Sequence, residues 1–187
     1  EASSHGLEQG RVAAIQFELA LFTNLSRDHL DYHGSMQSYA EAKALLFQQS
    51  GLKKAVLNAD DAFADSLQSL ISDSVAVLRY SVKSSSAADL WLEDVVFHAK
   101  GVNATLHTPW GVFPLSSPLL GQFDLSNVVA AIACLGSLGY PVARLVEEID
   151  SITVIPGRME HVSSIEQSDI SVVVDYAHTP DALENIC

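Results

Sequence analysis

The chain has 187 residues, with 10 Lys+Arg against 23 Asp+Glu and a formal net charge of −13. Hydrophobic residues make up 48% and charged residues 18%, which excludes an intrinsically disordered chain and provides for a substantial core. The acidic balance excludes nucleic acid as a partner, because a phosphate backbone needs clustered Lys and Arg. An anionic small substrate would need helix N-termini, a few basic side chains or a bound cation to receive it.

In chain order, residues 17–24 (FELALFTN) read as a buried strand and 36–50 as a helix. AVLN at 55–58 is a strand and 62–71 a helix; VAVLRYS at 75–81 is a strand, followed by the polar linker KSSSAAD. This alternation predicts an α/β fold with a mostly parallel sheet flanked by helices, in which ligand groups gather at the C-terminal ends of strands. From Leu90 to Leu119 the pattern changes to short alternating runs with turn residues, an added antiparallel β meander. Helices return at 125–138 and 142–152, the first stopped by Gly139 and Pro141. Ile155-Pro156-Gly157 reads as a hinge, and the next strand lies around Met159–Ile165. ISVVVD ends at Asp175 and Pro180 opens a helix, so the start of a second α/β domain is expected there. The expected division is 1–155 and 156–187.

Cys134 lies in an apolar run and Cys187 is the last residue, so neither suggests a disulfide framework or a thiolate metal site. No run of 18 apolar residues is present and no signal peptide opens the chain, so a reduced, cytoplasmic location without a membrane partner is expected. Both ends read as cut: Glu1 stands inside EASSHGL and Cys187 inside an unfinished TPDALENIC helix. The chain is thus expected to be part of a longer protein.

The densest chemistry is TNLSRDHLDYHG at 23–34, with two Asp, two His, one Arg and one Asn directly after a strand. His29 and His33, at i and i+4, would suit a metal on a helix; a polar loop leading into the next helix fits them equally. On the helix starting at Met36, residues Met36, Tyr39, Ala40, Leu46 and Phe47 share one face, and Lys43 projects from its middle. Two readings are open for Lys43. It can snorkel to the edge of the face, or it can be a neutral amine that takes up carbon dioxide to form a carbamate, an anionic oxygen ligand suited to Mg²⁺. Glu1 is a candidate metal carboxylate, with Ser3, Ser4 and His5 nearby, and Gln9 and Arg11 are polar groups just before the first strand. Asn127 is placed in the first turn of its helix, and Arg158 follows Pro-Gly at the hinge, where a guanidinium can meet a phosphate. A solvated surface role is open for each of these single residues.

The segments EASSHGL, FTNLSRDHLDYHGSMQSYAEAK, LLGQFDLSNVVAA, PGRME and VVVDYAHTPDAL, in this order and spacing, resemble the Mur ligases of peptidoglycan synthesis. The DHLDYH and DYAHTPDAL wording is similar to the branch that adds the third amino acid to UDP-N-acetylmuramoyl-L-alanyl-D-glutamate. The resemblance covers almost the whole chain. It implies a central domain that binds ATP and Mg²⁺ and a C-terminal domain that brings the incoming diamino acid, with diaminopimelate favoured over lysine by the motif wording. ATP would phosphorylate the substrate carboxylate, and the amine would attack the acyl phosphate. Lys43 matches the family's carbamylated lysine; Glu1 and His29 match residues that hold or surround Mg²⁺. Ser3, Gln9 and Arg11 match contacts to the UDP-linked substrate, and Asn127, Arg158 and Asp175 match residues around the nucleotide. A monomer is expected.

The family's phosphate loop, a G-x-x-x-x-G-K-[ST]-like run, does not occur in this sequence and is expected before Glu1. The 187 residues alone are therefore expected to be inactive. Other readings are a ligase adding lysine or another amino acid, a folylpolyglutamate synthetase relative, a divalent-metal hydrolase built on Glu1, His5, His29 and His33, and a non-enzymatic binding module.

Overall fold

The computed structural model describes residues 1–83, 87–98, 100–153, 156–157, 159–161, 172–177 and 183. Its elements are α1 (Ser4–Glu8), β1 (Leu19–Phe22), α2 (Leu30–His33), α3 (Met36–Ala44), β2 (Lys54–Asn58), α4 (Phe63–Gln68) and β3 (Ala76–Tyr80). There follow β4 (Trp91–His98), β5 (Gly101–Thr108), β6 (Gly111–Ser117), α5 (Gln122–Ser137), α6 (Val142–Ile149), β7 (Glu160–His161) and β8 (Val173–Val174).

Strands β1, β2 and β3 pair in parallel in that order, as the strand–helix alternation predicts. Successive side chains leave opposite faces of a strand. Ala20, Phe22, Ala55, Leu57 and Val77 accordingly pack with Ala44, Phe47, Ala64 and Leu67 from the α3 and α4 side. Leu19, Leu21, Val56, Leu78 and Tyr80 face the other way, onto Leu125, Val129 and Ile132 of α5. Burial on both faces is why these strands read as apolar runs.

The meander β4–β5–β6 is antiparallel in sequence order. A single bridge between Tyr80 and Leu90 joins its start to the end of β3. Leu92, Val102, Leu106 and Leu115 enter the same core as α5, so one apolar layer serves both sheets. Helix α6 closes that layer with Val142, Val146 and Ile149, spaced as one helical stripe. Burial also pushes the Cys134 thiol on α5 up to about 11. Among the described residues no helix is long and apolar enough to cross a membrane.

The elements differ from expectation where local hydrogen bonding overrides apolar spacing. The helix expected over 36–50 ends at Ala44, because Leu46 and Phe47 donate to the carbonyls three residues back and tighten the chain into turns. The helix expected from 125 starts at Gln122, behind Gly121 with φ 98°. Asn127 therefore lies in the second turn, not at the helix start. Gly139, with φ 94°, ends the segment after α5 as expected. The strands expected around 159–165 and 170–175 meet as the short antiparallel pair β7–β8; residues 162–165 and 170–171, and the helix expected from Pro180 apart from Leu183, lie outside the described residues.

Gly101 opens β5 with φ 137°, a conformation that only glycine adopts readily, and a Cβ there would collide with the Ser117 carbonyl on β6. Gly101→Ala should lower stability by about 2 kcal/mol or more, measured as a drop in the urea midpoint at unchanged slope.

Candidate active site

Parallel pairing of β1 with β2 puts the two loops that leave their C-terminal ends side by side. The loops are bonded to one another. Asp61, just past β2, accepts from the Leu25 amide (2.8 Å) and the Phe63 amide (2.8 Å). The buried Asn58 donates its carboxamide to the Thr23 carbonyl (2.7 Å). The 23–34 segment is thus held at both its start and its neighbour.

Within that segment a single helical turn, α2, lies between two left-handed residues, His29 (φ 55°) and Gly34 (φ 72°). This turn aims His33 inward, where its side chain is 1% exposed. His33 Nε2 meets Ser4 Oγ at 2.9 Å and Nδ1 lies 3.4 Å from Glu8 Oε2, so both ring nitrogens are engaged by α1. The ring also stacks on Tyr39 of α3 at 5.2 Å and 22°. His33 therefore joins α1 to α3. His29 instead keeps a 44% exposed side chain, with Nδ1 3.6 Å from Asp28 and its ring edge-on to both His5 and Tyr39.

Three of the sequence candidates flank helix α1 within a few residues. Ser3 caps it, accepting from the Gly6 amide at 3.1 Å. Gln9 ends it and donates to the Tyr32 hydroxyl at 3.0 Å. Arg11 donates its amide to the Gly6 carbonyl at 2.8 Å, folding the chain back so that its side chain and that of Ser3 flank Gly6.

Lys43 emerges from α3 half-buried, its Nζ 5.2 Å from the centre of the Tyr39 ring. Burial lowers its pKa below the ordinary lysine value, opposed by the charges of Asp61, Glu1 and Asp28. The same burial, helped by Asp28, raises Tyr39. Lys43 thus sits between two tendencies: desolvation favours the neutral amine, and three carboxylates favour the ammonium.

Glu1, Ser3, Gln9, Arg11, His29 and Lys43 therefore fall on α1, α2, α3 and their loops as one neighbourhood. Asn127 stands apart, exposed on α5. Asp175 lies just after β8 and accepts from the amides of Met159 (2.9 Å) and Ala177 (2.7 Å), tying that strand to the expected hinge. Arg158 lies outside the described residues. Among the described residues no three His, Cys, Asp or Glu side chains are arranged to hold a metal ion, so the hydrolase grouping of Glu1, His5, His29 and His33 is not assembled. Asp61 joins this neighbourhood without having been singled out from the sequence, whereas Asp28 stands inside the 23–34 cluster and Tyr39 was read only as part of the apolar helix face. The one signal for Asp61 in the sequence is its place three residues after the strand read at 55–58.

A parallel sheet with an attached meander, and a lysine among carboxylates beside the loop after its first strand, define the class: the chain belongs to the Mur ligase family. Residues 1–135 match the Mur ligase middle domain. The chain is 50% identical over 186 residues to the UDP-N-acetylmuramoyl-L-alanyl-D-glutamate–2,6-diaminopimelate ligase of Pseudomonas aeruginosa, and 47% identical over 187 residues to that of Nostoc sp.. Each match takes in 100% of this chain and 37% of the relative, so the chain spans little over a third of their length. A solved structure of a ligase of the same name is superposable with a TM-score of 0.84 at 42% identity, covering 100% of this chain and 38% of that one.

The three carboxylates oppose the effect of burial on Lys43, so removing one should shift it further toward the neutral amine. Asp61→Asn, which removes the charge but keeps only one of the two oxygens that accept from the Leu25 and Phe63 amides, should move the Lys43 titration further below the ordinary lysine value. Competitive acylation across pH, read by mass spectrometry at Lys43, should show its midpoint at lower pH than in the unmodified sequence.

Proposed function

We propose that this chain is part of an ATP-dependent ligase that joins meso-diaminopimelate to UDP-N-acetylmuramoyl-L-alanyl-D-glutamate. Residues 1–155 supply most of its central, nucleotide-binding domain, and 156–187 open the C-terminal domain that receives the amino acid. The observation that carries the reading is identity of 47–50% across the whole chain to ligases of that name. The half-buried Lys43 beside three carboxylates supports it.

In this reading ATP transfers its γ-phosphoryl group to the terminal carboxylate of the UDP-linked dipeptide. The amine of the diamino acid then attacks the acyl carbon, the amide bond forms and phosphate leaves. Ser3, Gln9 and Arg11 bind the UDP-linked substrate, using the short α1 scaffold that presents all three. Asn127, Arg158 and Asp175 serve the nucleotide, the last two from beyond the hinge.

Burial prepares Lys43 for modification by favouring its neutral amine, whose lone pair adds to carbon dioxide and releases a proton to leave an N-linked carbamate. The carbamate then faces Asp61, Glu1 and Asp28. A cation beside the carbamate would offset the added negative charge, and oxygen ligands of this kind suit Mg²⁺. The carbamate would supply a further anionic oxygen ligand that the unmodified side chains of the site do not provide. Glu1, His29 and carbamylated Lys43 would hold the ion, and its chemistry there is to neutralise charge between two anionic reactants.

Lys43→Ala in the full-length protein should lower turnover by ~10²-fold or more, with the fold retained because alanine suits a helix. Short-chain carboxylates at high concentration should restore part of it. A carbamate resonance from labelled carbon dioxide should be present with Lys43 and absent from the alanine variant; a fully active variant contradicts this role. Arg158→Ala should cost ~10²-fold or more in ATP-dependent turnover if its guanidinium meets the transferring phosphate. Steady-state kinetics near normal would make Arg158 a surface residue.

A further inference from the structure

We propose that Tyr32 is a positioning residue: its hydroxyl directs the Gln9 carboxamide and thereby sets the grip on the UDP-linked substrate. The proposal rests on the reading of Gln9 as a contact to that substrate.

The backbone at Gln9 is fixed. Its amide donates to the His5 carbonyl (2.9 Å), and Gly10, with φ 66°, turns the chain so that the Arg11 amide closes on Gly6. The side chain is another matter, because it is exposed and has three rotatable bonds. What directs it is the hydrogen bond from Nε2 to Tyr32 Oη, 3.0 Å long and spanning 23 residues of sequence.

Tyr32 is itself 42% exposed, yet its ring is held. It lies 4.0 Å from the His5 ring and, edge-on, 4.8 Å from His33. His33 is anchored in turn by Ser4, Glu8 and Tyr39. The phenol therefore presents its oxygen from a settled position.

A hydrogen bond between two neutral, solvent-exposed groups adds little to folding stability, because water serves either group nearly as well. Its effect is to remove alternative rotamers before substrate arrives, and the binding step no longer has to order them. With Nε2 bonded to Tyr32, the carboxamide still offers its oxygen and a second N–H to a ligand.

The test uses the full-length ligase with Tyr32→Phe, Gln9→Ala and the double variant, assayed with UDP-N-acetylmuramoyl-L-alanyl-D-glutamate, ATP and diaminopimelate. Phenylalanine keeps the ring against His5 and deletes only the hydroxyl. Tyr32→Phe should raise KM for the UDP-linked substrate ~2–3-fold, with kcat, KM for ATP and Tm unchanged. In the Gln9→Ala background the same substitution should add nothing, because there is no carboxamide left to direct. An unchanged KM in Tyr32→Phe beside a raised KM in Gln9→Ala overturns the role of Tyr32 alone. An equal further rise in the double variant overturns it too, since the hydroxyl would then act without Gln9. A normal KM in Gln9→Ala overturns the underlying assignment of Gln9, and absence of turnover by the unmodified ligase overturns the proposed function.

Discussion

A cation withdrawn from water must be answered by negative charge close by, or it gives up its proton. Lys43 is placed where both outcomes are within reach. Its stem lies along α3 over Tyr39, and the charges that act on it come from three separate stretches of chain: Glu1, the loop with Asp28, and the loop with Asp61. Their convergence depends on the parallel pairing of β1 with β2, which makes neighbours of two loops some 35 residues apart in sequence. A different strand order would leave Lys43 with burial and no answering charge from Asp61.

The same sheet separates two kinds of work. Its α3 and α4 face packs the side from which Lys43 emerges, while its α5 face shares a core with the meander. The short helices α1 and α2 sit at the edge of this arrangement and contribute few buried apolar residues. They are held instead by specific polar and ring contacts through His33. Site geometry there depends on hydrogen bonds more than on apolar area, so it responds to single-atom changes that a packed core would absorb.

Much of this was legible in the sequence because periodicity reports burial directly. Strands buried on both faces gave apolar runs at 55–58 and 75–81, and Lys43 stood out because its helical neighbours were apolar. Helix α2 was not legible: four residues are too few to show a period, and the turn depends on His29 and Gly34 taking left-handed backbones. The start of α5 was misplaced because the apolar stripe begins at Leu125, whereas the helix itself begins behind the turn at Gly121. Asp61 could not be linked to Lys43 from spacing, since their relation is made by sheet order alone. The roles proposed for Ser3, Gln9 and Arg11 came from resemblance; their gathering around α1 is visible only once the chain turns back at Gly10.

His29 is the N-terminal bracket of α2 and adopts a positive φ without being glycine. A glycine would take that backbone with less strain, by roughly 1 kcal/mol or more. Backbone and side chain therefore favour different residues at this one position. The turn alone would be more stable without an imidazole, and the imidazole is presented at 44% exposure only because the turn tolerates the strain. Chain stability and chemical equipment are thus opposed at position 29, and any sequence optimised for thermal resistance alone would be drawn toward discarding the histidine.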